Sequence, residues 1–265
     1  MTAPNRTGTL YLVPTPLDFG TTAHNAPAAL SECLPQETLR TAATLTHWIT
    51  ENAKSTRAFL KRVNEWQALA APLQAQHISE LPRHAHKKGD HAPGQADDAA
   101  AKALLAPALA GHDMGLVSEA GMPAIADPGS SIVRAAHALG VAVQALTGPI
   151  SLMLALATSG LNGQDFAFVG YVPQEASERA QRLRHLEALA LKTGQTQILI
   201  ETPYRNAALL QALLGSLQGH TRLAVSAGLT LPQQCTRSGL VSDWKRRTLA
   251  DGLPLDLPAV FLIGR

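Results

Sequence analysis

Apolar residues fall in short blocks along this chain, separated by breaks rich in glycine and proline. Gly8-Thr-Leu-Tyr-Leu-Val13 has strand length and ends at Pro14-Thr-Pro16, while Gly115-Leu-Val-Ser118 ends at Glu119-Ala-Gly-Met-Pro123. Ile132, Val133, Ala136 and Leu139 carry the spacing of one helical face, with Ser130 or Ser131 as its cap and Gly140 as its stop. Val141-Ala-Val143 starts another strand, Thr147-Gly-Pro149 breaks it, and Leu152 to Leu161 forms an apolar helix. Strand, tight turn and helix in repetition predict a parallel α/β sheet.

The same reading extends in both directions. Upstream it gives a short helix over Pro27 to Leu34, strands over Thr44 to Ile49 and Ile78 to Leu81, and a helix carrying Phe59, Leu60 and Val63. An alanine-rich helix over Asp97 to Leu109 follows. These elements make an N-terminal α/β domain over residues 1–147, with a mainly parallel five-stranded sheet. A second α/β domain, residues 148–265, carries strands over 166–170, 197–201, 222–225, 235–240 and 259–263, and a mixed sheet. A helix capped by Ser177 presents Leu183, Leu186, Leu189 and Leu191.

Composition narrows the picture only a little. A formal charge of +2 is too small to announce a nucleic-acid partner, though it permits a local basic patch. Cys33 and Cys235 make neither a disulfide framework nor a thiolate metal site. No apolar run reaches membrane-spanning length and the first residues lack a signal-peptide core, so a cytoplasmic protein with no membrane partner is expected. His84, His86 and His91 have no carboxylate or cysteine at a ligand spacing, so no metal is expected. Their loop reads equally as a basic lid meeting an anionic substrate or as plain solvated chain. The chain has no G-x-G-x-x-G after its first strand, no phosphate loop and no nucleophile elbow.

Ligands of parallel sheets bind beyond the carboxyl ends of the strands, where the breaks after Ser118 and Leu146 fall. Gly121 and Gly148 lack a Cβ, which lets the backbone turn sharply and a ligand come close. Simple loop punctuation is the competing reading for either break taken alone.

Ser118-Glu-Ala-Gly-Met-Pro-Ala-Ile-Ala-Asp-Pro-Gly129 resembles the SDAGTPxIxDPG signature of the tetrapyrrole methylase superfamily, in its ribosomal-RNA small subunit methyltransferase I branch. Thr147-Gly-Pro-Ile-Ser151, Phe168-Val-Gly-Tyr-Val-Pro173 and Glu201-Thr-Pro-Tyr-Arg205 are similar to its PGPxA, YxGFLP and YExxHR segments, in the same order. The resemblance implies S-adenosylmethionine as cofactor, a cleft between two α/β domains and methyl transfer to RNA, first of all a ribose hydroxyl of small-subunit ribosomal RNA. It also implies a homodimer and the short form of the branch, without its C-terminal module. A tetrapyrrole or other small molecule as acceptor, or a non-catalytic binding protein, are the alternatives.

Carried over residue by residue, the resemblance assigns cofactor contacts to Gly121, Met122, Ile125, Ile150, Ser151 and Tyr171. By order along the chain it adds Pro14, Ala227, Gly228, Pro258 and Ala259. Met122 stands where the family has threonine, Glu119 where it has aspartate, and the glycines of its first loop are reduced to Gly20. No residue declares itself the general base; Glu51 and Glu119 qualify by type, and Arg205 as a group that orients or stabilises substrate.

Overall fold

The computed structural model describes residues 6–18, 29–82, 95–246 and 249–265, which divide into two compact units between Ile150 and Ser151. The first unit holds β1 (Thr9–Val13), β2 (His47–Thr50), β3 (His77–Glu80), β4 (Met114–Val117) and β5 (Ala142–Ala145), in the order β3-β2-β4-β1-β5. Every pairing is parallel, with Leu10 opposite Met114 and His47 opposite Met114 on the two flanks of β4. All four residues of β4 are buried, as a central parallel strand covered on both faces requires. One face packs Leu10, Ile49, Met114, Leu116 and Ile132, and the other packs Val13, Leu39, Leu60, Val63 and Val117.

Gly115 belongs to this packing. A Cβ there would lie 2.4 Å from a ring carbon of Trp48, so the glycine makes room for the indole on the neighbouring strand. Trp48 is buried and its Nε1 donates to Gln76 Oε1 at 2.9 Å, so both its ring and its one polar atom are satisfied within the core.

The helices correct several expectations. Gln36–Thr44 is a helix that the apolar pattern does not announce, because its buried side are Thr38, Leu39, Ala42 and Ala43. The expected helix up to Leu34 is, in its described part, a single 3-10 turn at Leu30–Glu32. The alanine-rich helix is two pieces, Gln95–Leu104 and Ala106–Leu109, with Pro107 opening the second. The helix Ser130–Ala138 starts from Gly129 at φ +133°, so the N-cap is that glycine and not a serine.

The second unit holds β6 (Phe166–Gly170), β7 (Thr196–Glu201), β8 (Arg222–Ala227), β9 (Cys235–Leu240) and β10 (Ala259–Gly264), in the order β6-β7-β10-β8-β9. Only β6 and β7 run parallel, so the sheet is mixed. The central β10 is buried throughout, and Phe261 joins Leu183, Leu186, Leu213 and Val225 in one core. Helix Ala176–Thr193 is capped by Glu175, whose carboxylate accepts from the N–H groups of Ser177 and Glu178 at 3.0 and 2.7 Å. The expected cap, Ser177, instead donates its hydroxyl to Glu175. On its inner face Glu187 is buried beside Leu183 and Leu186, while Leu189 and Leu191 are half-buried. Glu187 accepts from Gln218 N at 2.7 Å and Thr221 Oγ1 at 2.5 Å.

Candidate functional site

The loops that leave the carboxyl ends of β1 and β4 are stitched together. Thr15 N donates to Gly121 O at 2.9 Å, Gly121 N returns the bond to Thr15 O at 3.1 Å, and Thr15 Oγ1 donates to Ser118 O at 3.3 Å. Gly121 sits at φ +78°, the left-handed region that glycine enters without cost, and a Cβ there would come within 3.1 Å of Leu17. At Gly148 an added Cβ would lie 2.3 and 2.4 Å from the Pro14 ring carbons. The space beside both glycines is therefore filled by protein side chains. They let the loops after β1, β4 and β5 close on one another. Pro14 is buried in that contact.

Beyond the stitch, the β4 loop turns back on itself. Gly121, Ala124 (φ 64°), Ala126 (φ 65°) and Gly129 all have positive φ, and Ala124 N donates to Pro128 O at 3.3 Å. Two alanines held in this region mark backbone strain of about 1–2 kcal/mol each. The turn helps wall a cavity of about 480 Å³ with Leu12, Met122, Pro123, Ala124, Ile125, Val133, Ala145 and Ile150, and with Ser130 and Arg134 at its polar side. Three expected cofactor residues, Met122, Ile125 and Ile150, meet here. Ile125 is 40% exposed.

On the other side of Ser118, the ends of β2 and β4 gather carboxyl groups. Glu119 N donates to Glu51 Oε2 at 3.2 Å, and Asn52 Nδ2 donates to Glu119 Oε1 at 2.9 Å. Asn52 also caps helix Ala53–Trp66, accepting from Lys54 N and Ser55 N. The two carboxylates expected from their residue type are thus brought together. A third joins them: burial and the charges of Glu51 and Glu119 push the Asp127 carboxyl up from 3.8 to about 7, with the nearby Ser118 hydroxyl acting against the rise. Ser118 and Glu119 also line a cavity of about 510 Å³, together with Thr15, Asp18, Asn52, Lys54, Ser55, Phe59 and Arg62. Arg62 is paired with Asp18 at 2.9 Å.

The remaining expected residues lie in the second unit. Arg205 is held by Glu201, with Nη2 to Oε1 at 2.9 Å and Nε to Oε1 at 3.1 Å, and its guanidinium stands 5.3 Å over the Tyr204 ring. Tyr171, just past a register shift in β6, is 58% exposed. Ala227 and Ala259 face each other across β8 and β10, and their side chains belong to the unit's core, so only their backbone is left for a ligand. Gly228 N donates to the carbonyl of exposed Pro258 at 3.0 Å, and Gly228 has φ +62°. Ser151 opens helix Ser151–Ser159. His84, His86, His91 and Gly20 lie outside the described residues. Among the described residues, no three histidine, cysteine or acidic side chains are placed to hold a metal, and no helix is long and apolar enough to cross a membrane.

The sequence model of the Tetrapyrrole (Corrin/Porphyrin) Methylases matches residues 36–244. The chain belongs to the tetrapyrrole methylase family. Among tetrapyrrole methylase relatives, the Ribosomal RNA small subunit methyltransferase I of Xylella fastidiosa is 33% identical over 220 residues, 83% of this chain and 67% of that protein. The protein of the same name from Halalkalibacterium halodurans is 29% identical over 92% of this chain and 73% of its own length. Against two others of that name the match spans about half of their length, 51% and 44%. The crystal structure of the methyltransferase CobJ shares the tetrapyrrole methylase fold, with a TM-score of 0.53 at 16% identity, covering 98% of this chain and 95% of that one.

Proposed function

We propose that this chain is an S-adenosylmethionine-dependent methyltransferase whose acceptor is RNA, at a ribose hydroxyl of small-subunit ribosomal RNA. The observation that carries the reading is the meeting of Met122, Ile125 and Ile150 around one apolar cavity, in a chain of the tetrapyrrole methylase family. A neutral adenine needs apolar walls and backbone groups rather than charged side chains, and this cavity offers both. Gly121 shapes the β4 loop, and Pro14 packs against Gly148 in the loop after β5. From the second unit, the family resemblance adds Ser151, Tyr171 and the backbone of Ala227, Gly228, Pro258 and Ala259 as proposed cofactor contacts.

When bound, the cofactor would supply a methyl group on a sulfonium sulfur. The protein's part is then positioning, exclusion of water and removal of one proton from the acceptor. Lys54, on the wall of the larger cavity, adds positive charge suited to a phosphate backbone. The names of the relatives support RNA over a small molecule. A cytoplasmic homodimer belongs to the same reading, and sedimentation velocity tests the dimer.

The acceptor is tested by incubating the protein with methyl-labelled S-adenosylmethionine and either small ribosomal subunits rebuilt on unmodified transcribed RNA or a tetrapyrrole precursor. Label in the RNA at a ribose is the expected result. Label in the tetrapyrrole alone would give the chain to the small-molecule reading, and binding without label in either would make it a binding protein.

A further inference from the structure

We infer that Tyr204 is a stacking platform for a base of single-stranded RNA, held in place by Arg205. The inference rests on the RNA reading above and names a contact for bases that flank the acceptor. Tyr204 is 81% exposed, the most exposed of the large apolar side chains among the described residues. A single exposed tyrosine is ordinary surface, but this one is built in. β7 ends at Glu201, and Pro203–Arg205 forms a 3-10 turn directly after it. Glu201 Oε1 accepts from Thr202 N at 2.8 Å, from Arg205 Nε at 3.1 Å and from Arg205 Nη2 at 2.9 Å. Arg205 Nε also donates to Thr202 Oγ1 at 3.2 Å. On the far side of the turn Asn206 is fully buried, and its Nδ2 donates to Leu255 O and Leu257 O at 3.0 and 2.9 Å. Both ends of the turn are thereby fixed.

The guanidinium held this way stands 5.3 Å over the Tyr204 ring, within cation–π range. With Arg205 on one face, the exposure of the ring leaves the other turned to solvent. Every nucleobase has a π-face, and proteins bind single-stranded RNA by stacking unpaired bases on such rings. Fixing the ring in advance removes the cost of ordering it when a base arrives. Charge points to the same partner. Residues 151–265 carry 11 Lys and Arg against 8 Asp and Glu, whereas residues 1–150 carry 11 against 12. Two of the second unit's carboxylates, Glu187 and Glu201, are engaged by its own donors, so its surface is the one that suits a polyanion. β6, the parallel neighbour of β7, leads at the same end into Tyr171, proposed above as a cofactor contact. A base on Tyr204 therefore lies on the rim of the unit where methyl transfer is proposed.

The test is binding of fluorescently labelled single-stranded oligoribonucleotides of about 10 nucleotides, read by anisotropy, with an abasic ribose-phosphate oligomer of the same length as control. Wild type should bind oligoadenylate more tightly than oligouridylate, because the purine stacks better, and both more tightly than the abasic oligomer. Tyr204→Ala should weaken oligoadenylate about 5- to 150-fold, the range that one base–aromatic stack carries, and leave the abasic oligomer unchanged. Tyr204→Trp should keep the affinity, and its added indole emission should be quenched by oligoadenylate and not by the abasic oligomer. Arg205→Lys keeps the charge but loses the fork that Glu201 holds, and should weaken oligoadenylate by a smaller factor. A wild-type melting temperature shows each variant to be folded. Wild-type affinity for oligoadenylate in Tyr204→Ala, or an equal loss on the abasic oligomer, overturns the inference. So does a Tyr204→Ala protein that changes from dimer to monomer in sedimentation velocity, which would give the ring to an interface between copies. If wild type binds none of the oligomers the inference also falls, and methylation of the rebuilt small subunits decides the RNA reading by itself.

Discussion

Gly148→Ala isolates the contact between the loops after β1 and β5. The added Cβ would lie 2.3 Å from one Pro14 ring carbon and 2.4 Å from another, with Leu34 at 3.2 Å on a third side. Carbon atoms in ordinary contact stand at about 3.5 Å, so one loop must retreat from the other by about 1.2 Å. A flexible side chain would yield, but the proline ring is fixed to its own backbone and buried, and β1 and β5 are paired directly behind it. Overpacking of this kind costs about 1–3 kcal/mol, and a rigid neighbour puts the change at the upper end. For a unit of this size, about 3 kcal/mol is a fall of roughly 6–12 °C in melting temperature. Differential scanning calorimetry reads it directly, with Gly163→Ala as control because a Cβ there meets nothing within 4 Å. Gly163→Ala should leave the transition unchanged or slightly higher. A Gly148→Ala protein melting within a degree of wild type would refute the claim that this glycine exists to seat Pro14.

Further predictions follow the same geometry. Raising the folded pKa of Asp127 from 3.8 to about 7 means that stability is lost as pH rises between those values and is flat above. At about 1.4 kcal/mol per pH unit the ceiling is about 4 kcal/mol, so Asp127→Asn should gain stability over wild type at pH 8 and little at pH 4, by urea denaturation. Equal pH dependence in the two proteins would count against the carboxyl cluster. Asn52→Ala should cost about 1–2 kcal/mol by removing the cap of helix Ala53–Trp66 and the donor to Glu119, and Asn52→Ser should recover the cap alone. Glu187→Leu should destabilise the second unit by about 1–3 kcal/mol, because Thr221 Oγ1 and Gln218 N lose their acceptor in the core.

The sheets were legible because their central strands are continuous apolar runs: Leu116 to Val117 and Val260 to Ile263 are buried throughout, and Leu10 to Val13 is buried at Leu10 and Val13 and half-buried between them. The helix Gln36–Thr44 was not, since threonine and alanine form its inner side and give no apolar stripe. Helix starts failed for a related reason. A serine beside a helix N-terminus suggests a cap, yet Gly129 and Glu175 hold those positions by backbone conformation and by carboxylate reach. At the candidate site, the motif located the loop but not its chemistry. Asp127 read only as the opening of a helix, because its carboxyl is perturbed by burial and by Glu51, which is distant in sequence and brought near only once β2 and β4 pair. Gly148 misled in the opposite sense, as the space beside it belongs to Pro14.

The central claim is that the β4 loop and its apolar cavity bind S-adenosylmethionine. Isothermal titration of the folded protein with S-adenosylmethionine, and separately with its demethylated product S-adenosylhomocysteine, tests it most directly. Saturable binding of both at one site per chain is the predicted result. A folded protein that takes up neither would contradict the account, leaving a tetrapyrrole methylase fold without the methyl donor.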